Sequence, residues 1–546
     1  MAAGFEGEDQ RVNVSQLFVR CLENEGVEYI FGIPGEETLH LMDALSESKQ
    51  IRFVTTRHEQ GAAFMADVYG RLSTYPGVCL ATLGPGATNL ITGVADAQLD
   101  RAPLVAITGQ AGLNRSFKES HQYLDVMALF KPITKWNARV DTPDSVPEIV
   151  RKAFRLARLE KPGATHIELP EDVAQEAAEG EPLPVRRTSY PVARPESLAR
   201  ASDLLRQAER PVILAGNGVI RRQAAESLGA FAQRSHIPVV TTFMGKGALD
   251  YRDPLALPAM GLHTSVASLG VLEEADLVVA VGYDLVEWAP AAWNGARSHT
   301  IVHVDSTAAE LDSSYVPAVE VVGEIGESLR ALAAAFGEPV PQWGWEQFRP
   351  GAGELAADAT DDSFPIRPAH LMRELRGVLD DEDIVISDVG AHKLWLATRF
   401  PAARPNTVII PNGLASMGLA VPGAVAAKLV HPARKVVAVT GDGGFLMNSQ
   451  ELETASRLKT AFVVVVLVDN RYGVIELNQL RQFGRAFGVA FGNPDFVAYA
   501  ASFGLPGFAV EGPDDLQPAL RRALALDVPS VVAVPVDSSQ SPATLR

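Results

Sequence analysis

Short apolar runs rich in β-branched residues alternate with segments of helical periodicity along almost the whole chain. A short apolar run closed by turn residues reads as a buried strand. Strands that alternate with helical patterns read as an α/β fold built on parallel sheets. Two stretches break the rhythm. Glu171 to Glu196 is rich in Ala, Glu, Pro and Arg, and Gly337 to Pro368 in Gly, Pro, Asp and Trp. Both read as linkers crossing a surface. They divide the chain into pieces 11–175, 195–335 and 365–540, with residues 1–10 as a loose tail. A chain of 546 residues is too long for one core, and a prior of about 150 residues per domain gives three or four. The expected fold is three doubly wound parallel-sheet α/β domains.

Two of the apolar runs end abruptly in polar, Gly-containing turns. Val436-Val-Ala-Val-Thr-Gly-Asp-Gly-Gly-Phe445 is one, and Val468-Asp-Asn-Arg-Tyr-Gly473 closes the other, 27 residues after Asp442. As neighbouring parallel strands they place Asp442 and Asp469 at carboxyl ends, where open α/β sheets bind ligands. Gly441, Gly443, Gly444 and Gly473 would let backbone approach phosphate oxygens. Two carboxylates beside phosphates suit Mg2+, which takes one or two carboxylates, phosphate oxygens and water. Gly-Asp-Gly alone would be an ordinary turn; the second half at this spacing changes the reading. Asn448-Ser-Gln-Glu451 has capping-box-like spacing and is expected to start a helix through about Lys459, its dipole helping to hold negative charge.

In the first piece a strand at Thr55 passes into a helix at Glu59. Ala62, Ala63, Phe64, Met65, Ala66 and Val68 make that helix apolar on most faces, hence buried. Glu59 then reads as a carboxylate in a dry site, against the commoner solvated Glu at a helix start. In the third piece Asp388-Val-Gly-Ala-His392 follows an apparent strand, and Pro411-Asn-Gly-Leu-Ala-Ser-Met-Gly-Leu-Ala420 sets Met417 among small residues, where a Met is usually core filler. The first and third pieces share this rhythm of strands ending in glycine turns, as at Gly32-Ile-Pro-Gly35 and Leu83-Gly-Pro-Gly-Ala-Thr-Asn89.

Composition narrows the function. Acidic residues outnumber basic ones, 66 to 48, for a formal charge of -18. That argues against nucleic acid as a partner, and any anion site must rely on local donors. Two cysteines, Cys21 and Cys79, make neither a disulfide framework nor a zinc site, and read as buried thiols in a reducing cytosol. The longest apolar run, Ala461 to Val468, falls short of the ~20 residues that span a bilayer. The first residues lack the basic and apolar regions of a signal peptide. The expected location is the cytoplasm, without a membrane partner.

The Gly441-Asp442-Gly443 opening with its Asp469-Asn470 close resembles the diphosphate-binding signature of thiamine-diphosphate enzymes. The resemblance extends over nearly the whole chain from about residue 11. It implies a pyrimidine, a central and a diphosphate domain, with thiamine diphosphate and Mg2+ as cofactors. Asp442, Asp469 and the backbone carbonyl of Arg471 would ligate the metal. The family's usual close is Asn-Asn, so whether Asp469 or Asn470 meets the metal stays open; Asp469 holds the ligand's position. Tyr472 and Gly473 complete that loop. Gly390, Ala391 and His392 would cradle the terminal phosphate, although for His392 a turn residue with no ligand is the rival reading. Met417 takes the place of the wedge that bends the cofactor, a proximity effect, and the Ala415 carbonyl would accept from the 4'-amino group. Glu59 takes the place of the Glu that bonds N1' of the aminopyrimidine, so that the cofactor's own nitrogen serves as base. Aligned on Pro132 and Lys135, Gln122 falls where acetolactate synthases carry an active-site Gln, able to donate to an alkoxide or carboxylate. His121 precedes it where those enzymes often have Phe, and could equally be a surface residue.

The middle piece separates members of the family. Gly216-Asn-Gly218 lacks the third glycine of a dinucleotide fingerprint. FAD-containing acetolactate synthases usually show Asp-Asp-Arg after the later strand; here the chain reads Val281-Gly-Tyr-Asp-Leu-Val-Glu-Trp-Ala-Pro-Ala-Ala-Trp-Asn294. With Val302-His-Val-Asp305 and Tyr315-Val-Pro317, this looks like the catabolic, FAD-independent type. Gly261-Leu-His-Thr264 partly echoes a flavin segment, so the expectation is loss of FAD. The resemblance implies condensation of two pyruvates to 2-acetolactate and CO2 through a hydroxyethyl carbanion/enamine on the cofactor, in a homodimer or homotetramer with active sites at the chain interface. The rivals are another 2-oxo acid decarboxylase or carboligase, a FAD-containing acetohydroxyacid synthase, and a non-catalytic homologue.

Overall fold

The structure, a computed structural model, describes residues 12–538 apart from 74, 187, 262–265, 336, 338 and 350–362. The expected tail, most of the Gly261–Thr264 segment and part of the Gly337–Pro368 stretch lie outside the described residues. The chain forms two compact units, Met1–Thr188 and Ser189–Arg546.

The first unit holds β1 (Val12–Asn13), β2 (Tyr29–Gly32), β3 (Arg52–Thr55), β4 (Gly77–Ala81), β5 (Leu104–Gln110), β6 (Trp136–Arg139), β7 (Ala164–Pro170) and β8 (Ala177–Ala178). Six of them make a parallel sheet in the order β3-β2-β4-β5-β7-β6. β1 and β8 pair antiparallel beside it. This pairing corrects the first linker. Residues 171–178 belong to the fold, through a helical turn at Glu171–Ala174 and the bond from Ser15 Oγ to the Ala174 carbonyl. Helices Glu59–Ser73 and Pro85–Leu99 pack closely because their facing residues are small. A Cβ placed on Gly93 would come within 2.5 Å of the Ala63 methyl. Arg71, largely covered, locks the same pair, bonding Asp67 on its own helix and Asp100 beyond the other.

The second unit carries two parallel sheets. Strands β9 (Pro211–Ala215), β10 (Val239–Thr241), β11 (Leu277–Val281), β12 (Thr300–Asp305) and β13 (Val319–Val322) run in the order β10-β9-β11-β12-β13. Strands β14 (Ile384–Ser387), β15 (Val408–Ile409), β16 (Val436–Gly441), β17 (Val463–Val468), β18 (Gly507–Ala509) and β19 (Ser530–Pro535) run in the order β15-β14-β16-β17-β19-β18. Counted within each sheet, this is the strand order of the first unit. β17 is all Val and Leu, and nearly all of it is buried. β-branched chains are stiff and suit the pleat, parallel strands are covered on both faces, and each fully buried Val contributes about 1.5–3 kcal/mol.

The second expected linker is also corrected in part: Val340 and Trp345 are buried in the core of the middle sheet. Its Pro and Gly content hid apolar anchors. Among the described residues no helix is long and apolar enough to cross a membrane.

Candidate active site

In the first unit Glu59 opens its helix directly after β3 and is buried, with 8% of its surface exposed. Its Oε2 accepts from Asn89 Nδ2 at 3.0 Å. The turn after β4 reaches the same place. A Cβ on Gly86 would lie 3.5 Å from Glu59 Oε1, and one on Gly84 only 2.7 Å from the Gln122 carbonyl. Gly84 and Gln122 both have positive φ, +52° and +56°. The glycines thus keep open the ground between a buried carboxylate and an exposed loop that carries His121 and Gln122. Both of those side chains face solvent.

In the second unit the order β15-β14-β16 reverses the direction of winding between β14 and β16, a topological switch point where such sheets bind ligands. A cavity of about 280 Å³ opens there. It is lined by Gly390, Ala391 and His392 after β14, by Ala415 and Met417, by Gly441, Asp442, Gly443 and Gly444 after β16, and by Asp469, Arg471, Tyr472 and Gly473 after β17. Thirteen of the expected residues are therefore brought together. Asn470 is the exception: it is not among the lining residues, and its Oδ1 accepts from Asn493 at 2.9 Å. The lining is a cradle that side chains would fill. A Cβ on Gly390 would meet the His392 ring at 2.8 Å, and one on Gly443 the Tyr472 ring at 2.7 Å. The His392 Nε2 is buried in this wall with no hydrogen-bond partner, a group that asks for a ligand. Burial holds its imidazole down to about 4, so it is neutral.

Asp442 organises the loops around the cavity. Its Oδ2 accepts from the backbone N–H of Asp469 at 3.1 Å, from that of Asn470 at 2.7 Å, and from Asn493 Nδ2 at 2.8 Å. Its Oδ1 accepts from the Gly443 N–H at 2.8 Å. Asp469 is pushed up to about 6, first by burial and then by the Asp442 charge, while bonds from Ser538 and the Arg471 backbone work the other way. A cation between the carboxylates would relieve that repulsion. Among the described residues no three or more His, Cys, Asp or Glu gather as a metal cage. An ion here needs further oxygens, from backbone or from a bound phosphate.

Three family models match successive parts of the chain. Residues 12–129 match the N-terminal TPP binding domain of thiamine pyrophosphate enzymes, 198–332 the central domain, and 388–534 the C-terminal TPP binding domain. The chain belongs to the thiamine pyrophosphate enzyme family. Within it the chain is acetolactate synthase-like. It is 36% identical to the acetolactate synthase of Bacillus subtilis (strain 168), over 96% of this chain and 94% of that protein. It is 36% identical to the catabolic acetolactate synthase of Raoultella terrigena, over 98% and 97%. A probable acetolactate synthase large subunit of Methanocaldococcus jannaschii is 35% identical over 96% and 92%. The cradle and its orphan imidazole fit the diphosphate of the cofactor that names the family, and the paired carboxylates fit a cation bound to that diphosphate.

One expectation about the thiamine pyrophosphate loop is corrected. The helix that opens at the cradle begins at Asp442 and ends at Asn448; the next runs Glu451–Leu458. The second helix therefore starts at Glu451 rather than at Asn448, and its N-cap residue, Gln450, makes no side-chain capping bond. Asn448 closes the preceding helix; its Nδ2 donates to the Gly418 carbonyl at 3.0 Å and its Oδ1 accepts from Gln450 Nε2 at 3.2 Å. The sequence reading also missed Asn89, Asp388 and Asn493. Asn89 and Asp388 stand in the quoted glycine motifs, which is signal enough to have raised them. Asn493 sits in Gly492-Asn-Pro494, which reads only as a turn.

Proposed function

We propose that the protein is an acetolactate synthase of the catabolic type, condensing two pyruvates to 2-acetolactate with release of CO2. What carries this reading is the full-length likeness to acetolactate synthases in a chain that keeps a buried Glu59 and a glycine cradle with two carboxylates. When bound, thiamine diphosphate supplies the carbanion chemistry at its thiazolium C2.

The chain's part is to bind, orient and exclude water. Glu59 presents a fixed carboxylate to N1' of the aminopyrimidine, and Asn89 holds that carboxylate in place. Gly390, Ala391, His392, Gly441, Gly443, Gly444 and Gly473 receive the diphosphate. Met417 would stand where the cofactor bends, and the Ala415 carbonyl would accept from its amino group; both line the cavity. Asp442, Asp469 and the Arg471 carbonyl would hold Mg2+. The choice of Asp469 over Asn470 is supported by the place of Asp469 in the cavity wall. Gln122, with His121 beside it, orients the acceptor pyruvate or its alkoxide.

FAD has no part in this reading, because the turn that would meet its phosphates already receives the Glu287 carboxylate. The three-domain division at 11–175, 195–335 and 365–540 belongs to the same proposal, as does a cytoplasmic location, which two buried unpaired cysteines support. A homodimer or homotetramer with active sites at the chain interface is supported by the helix Gly473–Phe483, which leaves the cavity and has no buried residue.

Purified protein given thiamine diphosphate, Mg2+ and pyruvate alone should form acetolactate, read as acetoin after acid, and should lose the activity with chelator. Acetaldehyde as the main product would instead favour a simple decarboxylase.

A further inference from the structure

The middle sheet has its own switch point, between β9 and β11, in an order that binds a cofactor in other doubly wound folds. Here a side chain of the protein occupies it. Glu287, on the turn after β11, places both carboxylate oxygens 3.0 Å from the N–H of Asn217 in the Gly216–Gly218 turn after β9. Thr242 Oγ1, after β10, donates to the same carboxylate, and the Asp284 N–H donates at 3.2 Å. A Cβ on Gly216 would come within 2.9 Å of Glu287 Oε1. Three strand ends thus converge on one buried carboxylate.

The consequence leaves the middle sheet through the backbone. The Glu287 carbonyl accepts from Asn412 Nδ2 at 2.6 Å. Asn412 is buried at the start of the loop that bears Ala415 and Met417 in the cavity wall. That loop is strained at Ala415, a non-glycine residue at φ +57°, and turns at Gly418, whose φ of +94° glycine takes freely. Its far end is pinned by Asp388 and Asn448. Glu287 supplies a pin at the near end.

We propose that Glu287 is a positioning residue, whose buried carboxylate fixes the carbonyl that holds Asn412 and so sets the loop presenting Ala415 and Met417 to the rings of the cofactor. The inference rests on the proposed function for what those two residues meet. It gives the middle domain a task other than binding a nucleotide.

The test is a double-mutant cycle with Glu287→Gln and Asn412→Ala, reading affinity for thiamine diphosphate with Mg2+ and, separately, for inorganic diphosphate with Mg2+. Supports that orient a contacting group typically cost about tenfold or more when removed. Each single variant should weaken thiamine diphosphate by about tenfold, and the double variant should be no weaker than Asn412→Ala, since both act on one link. Inorganic diphosphate, which does not reach the loop, should bind all four proteins alike. A merely structural Glu287 would lower both affinities together, or would multiply with Asn412→Ala; either result overturns the inference, as does unchanged affinity in Asn412→Ala. Should Glu287→Gln fail to fold, Thr242→Val removes one of its donors and takes its place in the cycle. Wild-type protein that binds no thiamine diphosphate would overturn the proposed function and this inference together, whereas binding by wild type with silent variants overturns the inference alone.

Discussion

The carboxylate of Asp388 accepts the N–H of Gly418 at 2.9 Å and 3.1 Å from its two oxygens. The same group takes the N–H of Val389 at 2.7 Å and that of Ala420 at 3.2 Å. It is buried, and burial raises its pKa while these backbone donors act against the rise. One side chain thereby joins the turn after β14, which leads to Gly390, to the loop that carries Ala415 and Met417. The two walls of the cavity that lie far apart in sequence are referenced to a single side chain.

Asp388→Asn should therefore loosen both walls. An amide has one acceptor oxygen and turns its NH2 toward N–H donors. A buried donor left unpaired costs roughly 1–3 kcal/mol. Urea unfolding should report a loss of that order. Unlike Asn412→Ala, this variant should also weaken inorganic diphosphate, because the Gly390 turn moves with the loop. Diphosphate affinity equal to wild type would mean that Asp388 holds only the loop.

Glu59→Ala removes the carboxylate that faces Gly86 and leaves Asn89 without its acceptor. Positioned acid–base groups typically contribute 10² or more in rate, so turnover of pyruvate should fall by about a hundredfold or more. Glu59→Gln keeps the shape and the bond from Asn89 but loses the charge, and should fall nearly as far. Melting temperatures near wild type would show that the fold survives. Wild-type turnover in either variant would refute the role.

What the sequence disclosed and what it withheld divide along the range of the interactions. Asp442 and Asp469 were legible because each ends a strand whose apolar run and glycine turn are local. Glu59 was legible because the helix behind it is apolar on nearly every face. Asn493 was not, since it reaches Asp442 from a loop 51 residues away and its own neighbourhood encodes only a turn. Asn448 misled because Asn-x-x-Glu satisfies a local rule while the residue itself closes the preceding helix and its Oδ1 accepts from Gln450. Trp345 was hidden among Pro and Gly, whose turn signals say nothing of an aromatic ring that finds the core. Glu287 was seen as part of a family marker, and its task is visible only where three strand ends meet.

The helix Gly473–Phe483 and the loop after it expose Ile475, Leu480, Phe483 (64%) and Phe487 (88%). Apolar surface gathered on one element marks an interaction face. Under the proposed homo-oligomer, a second copy covers it. Phe483→Asp places a charge there and should release monomers, measured by light scattering at low micromolar protein. Wild type that is itself monomeric under those conditions would dispose of the idea.

Glu168, buried in β7, makes stability depend on pH in a predictable direction. Burial pushes its carboxyl up to about 7; a hydrogen bond from Gln110 Nε2 at 2.9 Å and the Arg139 charge oppose this, while Asp125 and Asp141 add to it. The folded protein thus holds this proton more tightly than the unfolded chain, whose carboxylates release theirs near 4.3, so that stability falls with rising pH wherever the folded state binds more protons. The Glu168 contribution is whole below about 4.3, declines as pH climbs toward about 7, and is lost above that. Glu168→Gln keeps an oxygen for Gln110 and removes the titration. The variant should match wild type near pH 5 and become the more stable of the two near pH 8, with melting temperature measured at both. A gap that stays constant across that window would show that Glu168 is ionised throughout, and that Gln110 and Arg139 outweigh its burial.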